Sequence, residues 1–197
     1  MNFPLFTKRS CLLLLMISLS AISCNKHHKS EATCRSEEKQ WQNKLKEELP
    51  LLGHRNWILV VDKAFPLQTA QGIEVINTNE NLKEVLRFVL SNITESSHVK
   101  PNIYTDKELD FLHESQVKGV DRYKQDLKEI IKGHPVQNIL HDSVFVNIDR
   151  ASKLFKILVL KTNETIPYSS VFLQLDCKYW QPDQEADLRK LIKNNKQ

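Results

Sequence analysis

The chain has 197 residues, of which 41% are hydrophobic and 26% charged, with a formal net charge of +4. That length suits one globular domain; the apolar content excludes a disordered chain, and a mean hydropathy of −0.41 excludes a multi-span membrane protein. Only four glycines occur, Gly53, Gly72, Gly119 and Gly133, none close to another. Neither a glycine-rich phosphate loop nor a dinucleotide fingerprint can be built from them.

Residues 1–23 carry the pattern of a signal peptide. Lys8 and Arg9 form a positive start, Cys11 to Leu19 an apolar core, and Ser20, Ala21 and Ser23 a small-residue end. The apolar run is shorter than the roughly 20 residues that a membrane span needs. The segment Ala21-Ile22-Ser23-Cys24 resembles a bacterial lipobox, in which the cysteine is acylated and becomes the mature N-terminus. Ordinary secretion with an unmodified Cys24 is the alternative. Cleavage takes the Lys and Arg count from 28 to 26 against 24 acids, so nothing points to nucleic acid as a partner.

Residues 24–37 are polar and read as a tether, with His27 and His28 solvated within it. Residues 38–197 are expected to form the domain. If Cys24 carries lipid, Cys34 and Cys177 remain; in an oxidising compartment they can pair, and otherwise they stay two separate thiols. No CxxC or zinc-type spacing is present.

Trp41, Leu45 and Leu49 recur at helical spacing and stop at Pro50. Trp57 to Val61 is a continuous apolar run, the mark of a strand covered on both faces. Ile73 to Ile76 is a second strand. Asn77-Thr78-Asn79 is placed to cap a helix bearing Leu82, Val85, Leu86, Val89 and Ile93. Asn102 to Thr105 is a weak strand, and Val120 to Ile131 a helix ended by Gly133 and Pro135. Val136–Leu140 reads as a strand, Val144–Lys153 as a helix, Phe155–Leu160 and Val171–Leu175 as strands, and Pro182–Asn194 as a closing helix. The alternation predicts a single α/β layered domain with a mostly parallel sheet flanked by helices. Ligands in such sheets sit beyond the carboxyl ends of the strands, which draws attention to Asp62.

Gly53-His54 precedes the first strand and Asp62 follows it. At about 3.3 Å per residue the pair lies roughly 20–26 Å apart within one chain. A dyad between them therefore needs a folded-back loop or a neighbouring subunit. By themselves, His54 reads as a loop histidine and Asp62 as a turn or cap residue. His98, His113, His134 and His141 show no metal-binding spacing. Trp41, Trp57 and Trp180 can stack on sugars or pack in the core or at subunit contacts.

The stretch Leu52-Gly53-His54-Arg55-Asn56-Trp57-Ile58-Leu59-Val60-Val61-Asp62-Lys63-Ala64-Phe65-Pro66 resembles the opening signature of the ribose pyranase / fucose mutarotase (RbsD/FucU) family. Asp149-Arg150-Ala151 is similar to that family's Glu-Arg-Ala segment, and Glu164-Thr165-Ile166-Pro167-Tyr168-Ser169-Ser170 to its Glu-Thr-x-x-Tyr-[Gly/Ala]-Asn. Order and approximate spacing agree from about Leu45 to Leu175.

The resemblance implies cofactor-free and metal-free interconversion of ring forms or anomers of a free monosaccharide such as fucose or ribose. It implies His54 as proton donor, Asp62 and Arg150 as sugar contacts, Tyr168 as substrate orienter or proton relay, and Ser170 where relatives have Asn. A histidine suits proton exchange near neutrality. It also implies a homo-oligomer with sites near subunit contacts. With the lipobox, the expected location is the bacterial cell envelope, anchored by lipid to a membrane. Ala64 and Ser170 depart from the family pattern, which leaves a non-catalytic sugar-binding lipoprotein associated with carbohydrate uptake as the alternative, and a structural assembly protein as a third reading.

Overall fold

The five residues Trp57–Val61 (β1) are all buried, as an unbroken apolar run requires. The structure, a computed structural model, describes residues 40–195. Among these residues β1 lies inside a six-stranded sheet of order β2-β5-β1-β6-β3-β4, with β2 Ile73–Asn77, β3 Val99–Asp106, β4 Val136–Ile139, β5 Ile157–Lys161 and β6 Val171–Cys177. β2, β5 and β1 pair in parallel, as do β3 and β4. β6 alone runs the other way, inserted between β1 and β3. The fold is the expected mostly parallel α/β domain. The signal segment, Cys24, the tether and Cys34 lie outside the described residues.

Alternation along the strands divides the core in two. Ile58, Val60, Leu158, Leu160, Leu173 and Ile103 face one side, where they meet α1 (residues 40–48), α2 (Leu82–Glu95) and α3 (Val120–Ile130). Trp57, Leu59, Val61, Ile157, Val159 and Phe172 face the other, covered by Phe65 and by Val144 and Ile148 of α4 (His141–Ser152). The last helix, α5 (Pro182–Asn194), starts at a reciprocal Gln181–Gln184 cap and buries none of its side chains.

Several boundaries differ from the sequence expectation. The cap of α2 is Asn81, whose side chain accepts the Lys83 N–H; the hydroxyl of Thr78 instead donates to the Lys161 carbonyl. β3 begins at Val99 and runs through Pro101, which is tolerated because β4 pairs with β3 only from Ile103 onward. α4 starts at His141, three residues early, because Glu108 accepts the His141 N–H and closes its first turn. β5 starts at Ile157, since Leu154 and Phe155 still donate to the Ala151 carbonyl as the chain leaves α4.

Candidate active site

Five of the six strands point the same way, so their carboxyl ends share one edge of the sheet, together with the start of β6. Asp62 leaves β1 there in an Asx turn, its Oδ1 accepting the Ala64 N–H at 2.8 Å. The Ser170 hydroxyl donates to Asp62 Oδ2 at 2.7 Å and accepts the Asp62 N–H at 3.1 Å. Ser170 is buried, and its hydroxyl proton is committed to that carboxylate.

Tyr168, two residues earlier, holds a left-handed backbone at φ 58°, a conformation that bulky residues avoid and that marks strain. Its ring meets the His141 ring edge-on at 5.4 Å between centroids. His141 Nδ1 in turn lies 3.0 Å from Asp106 Oδ2. Asp106 is 1% exposed, and its Oδ1 has no hydrogen-bond partner among the described residues. Burial pushes the Asp106 carboxyl up to about 6, His141 pulls against that rise, and the carboxylates of Glu108 and Asp62 add to it. Below this edge, buried Tyr123 donates to the Ser169 carbonyl at 2.6 Å, and its burial holds the phenol far above its ordinary range.

His54 lies at the opposite edge. The turn that carries it is clamped at both ends: Asn56 Oδ1 accepts the Gly53 N–H, Arg55 N–H reaches the Leu175 carbonyl, and Leu175 N–H returns to Asn56. These bonds set His54 beside the finish of β6, with its Nδ1 2.8 Å from Asp176 Oδ1. Arg55 Nε–H donates to His54 Nε2 at 3.1 Å, so the neutral ring carries its proton on Nδ1 and offers a lone pair at Nε2. Arg150, in the last turn of α4, lines a 550 Å³ pocket together with His54, Trp57, Tyr104 and Gln174. A second pocket of 640 Å³ adjoins His54 on the side of α5.

The structure therefore brings Asp62, Tyr168 and Ser170 together at one edge, and His54 and Arg150 at the other, with the length of β1 between them. Asp106, His141 and Asp176 complete the two groups and were missed by sequence reasoning. The rule that selected Asp62 also selects Asp106, since an acid ends an alternating strand there, and it selects His141, which opens the helix after β4. Asp176 lies beyond the expected end of the last strand, and only the antiparallel course of β6 returns it to His54. Cys177 is half-buried beside it.

Residues 37–177 match the model of the RbsD / FucU transport protein family. Among solved structures, the chain is similar to Bacillus subtilis RbsD complexed with D-ribose (15% identity over 68% of this chain and 91% of that one, TM-score 0.49). It is similar also to FucU from Bifidobacterium longum (16% identity, 68% and 94% covered, TM-score 0.48). A third is a fucose mutarotase in complex with L-fucose from Streptococcus pneumoniae (18% identity, 66% and 89% covered, TM-score 0.46). No curated protein sequence matches. Since the family model spans both polar edges and every strand of the sheet, the chain belongs to the RbsD/FucU family.

Proposed function

We propose that the chain is a monosaccharide mutarotase or pyranase, an isomerase of ring forms, working with its own side chains as acid and base. Membership of a family of sugar mutarotases and pyranases supports this. The observation that carries it is the pair of Asp–His couples, His54–Asp176 and His141–Asp106, each bonded through Nδ1, which leaves Nε2 as the nitrogen for proton exchange; at His54 that nitrogen accepts the Arg55 Nε–H, a bond that a sugar hydroxyl would replace.

Ring opening needs a base to take the proton of the anomeric hydroxyl and an acid to protonate the ring oxygen as the C1–O bond breaks. Reclosure at the freed carbonyl, through the same or another hydroxyl, returns both protons. Two histidines, each oriented by a carboxylate, can play these parts and exchange them. In this proposal the site forms where the His54 edge of one copy meets the Asp62 edge of another. His54 transfers one proton, with Asp176 compensating the charge the ring gains; His141 transfers the second. Asp62, held by Ser170, accepts sugar hydroxyls; Arg150 and Tyr168 orient the ring. Acylation at Cys24 would place the enzyme on an envelope membrane, where anomer exchange beside an uptake system is useful.

Exchange-transfer NMR on fucose, ribose, galactose and xylose tests the proposal. Anomer or ring-form exchange in the presence of the wild type, absent with His54→Ala, is the expected result. Binding without exchange would replace it with the sugar-binding alternative.

A further inference from the structure

The three tryptophans occupy different environments. Trp41 is 1% exposed and Trp57 3%, both in the core; Trp180 is 39% exposed. Trp180 follows β6, outside the 37–177 span that the family model matches. With Tyr179, Gln181 and Arg189 it lines the 640 Å³ pocket that also contains His54 and Asp176.

This wall is held in place. The Trp180 Nε1–H donates to Glu185 Oε2 at 2.9 Å, while Arg189 pairs with the other oxygen of Glu185 at 2.6 Å. These contacts pull the Glu185 carboxyl below its usual range, so it stays an acceptor for the indole at neutral pH. Gln181 is fixed from two sides, accepting from Lys100 Nζ and donating to the Lys178 carbonyl, both at 2.8 Å. The tethered indole thus lines the pocket beside an exposed phenol and a guanidinium. Aromatic faces flanked by planar polar groups suit sugar rings, whose axial C–H groups stack while their hydroxyls bond sideways. The volume falls within the range that encloses drug-sized ligands, closer to a disaccharide than to one free sugar.

We propose that Tyr179, Trp180 and the first turns of α5 form a second carbohydrate subsite beside His54, which takes the sugar unit attached to the one being isomerised. The substrate class then includes the reducing ends of disaccharides and short oligosaccharides. This rests on the reading of His54 as a proton-transfer group.

The test compares anomer exchange of maltose, cellobiose and lactose with that of fucose, ribose, galactose and xylose. Wild-type protein is expected to exchange at least one disaccharide, with a disaccharide-to-monosaccharide ratio of kcat/KM that falls about tenfold in Trp180→Ala, mainly through KM, and is partly restored in Trp180→Phe, which keeps an aromatic face without the bond to Glu185. The same disaccharide should protect Trp180 fluorescence from acrylamide quenching. Exchange of monosaccharides alone would overturn the subsite and leave the proposed function standing. Absence of exchange with every sugar would overturn both. An unchanged ratio in Trp180→Ala, or a change of its oligomeric mass in light scattering, would assign the indole to packing and overturn the subsite.

Discussion

Asp106 and His141 are thirty-five residues apart in the chain and 3.0 Å apart in space. The parallel pairing of β3 with β4 makes this possible: Asp106 is in register with Ile139, and α4 opens two residues later with His141. The carboxyl that ends one strand therefore faces the ring that starts the helix after its neighbour.

This couple gives stability a pH dependence whose sign is fixed by burial. Asp106 holds its proton up to about 6 when folded, against 3.8 for the free group. Its stabilising contribution is complete below the lower value and lost as pH rises through the upper one, by at most about 3 kcal/mol. Glu48 and Glu74 act oppositely. Lys156 and Lys44 hold them below 4.5, so their contribution is present above that pH and lost as it falls. Melting temperature measured against pH should peak near the lower of these limits, and Asp106→Asn should flatten the decline between about pH 4 and 6.

A site built from two edges predicts complementation. His54→Ala and Asp62→Ala proteins should each lack exchange activity, and co-refolded mixtures should regain about a quarter of wild-type sites, the random yield of intact pairs in a symmetric oligomer. No recovery would mean that both edges work within one chain or that neither does.

Asp176 positions His54. Asp176→Asn should lower kcat about 100-fold with little change in KM, and should alter the pH profile of kcat. The 15N shifts of the His54 ring should show the proton leaving Nδ1, which a merely structural role would not cause. Asp176→Glu should restore part of the rate.

Gly72 permits a close approach. A Cβ there would run into the Ser152 carbonyl and come within 2.9 Å of the Phe155 oxygen. Gly72→Ala should destabilise by about 1–3 kcal/mol, read as a lower urea midpoint with the slope unchanged.

Membrane attachment through Cys24 predicts that labelled palmitate enters the wild type and not Cys24→Ser, and that the variant leaves the membrane fraction.

The sequence made the layers legible. β1 announced itself because all five of its residues are apolar, and α2, α3 and α5 because their stripes are regular. β3 was read four residues too short because Pro101 interrupts a strand that the sheet accommodates on its unpaired side. Asp62 was legible from its place after β1. Asp106, His141 and Asp176 were not, because strand order decides their partners: β6 between β1 and β3 is a long-range arrangement that no local period encodes. The same insertion sets the buried Ser170 hydroxyl against Asp62.

Because β6 opposes its neighbours, its beginning abuts one half-site and its finish the other: Ser170 just before Val171, and Asp176 one residue from the end. A single seven-residue strand thus works as a ruler. For copies that meet edge to edge, lengthening it by two residues would shift one half-site by about 7 Å relative to the other. In the proposed edge-to-edge assembly, the angle at which successive copies join would change with it.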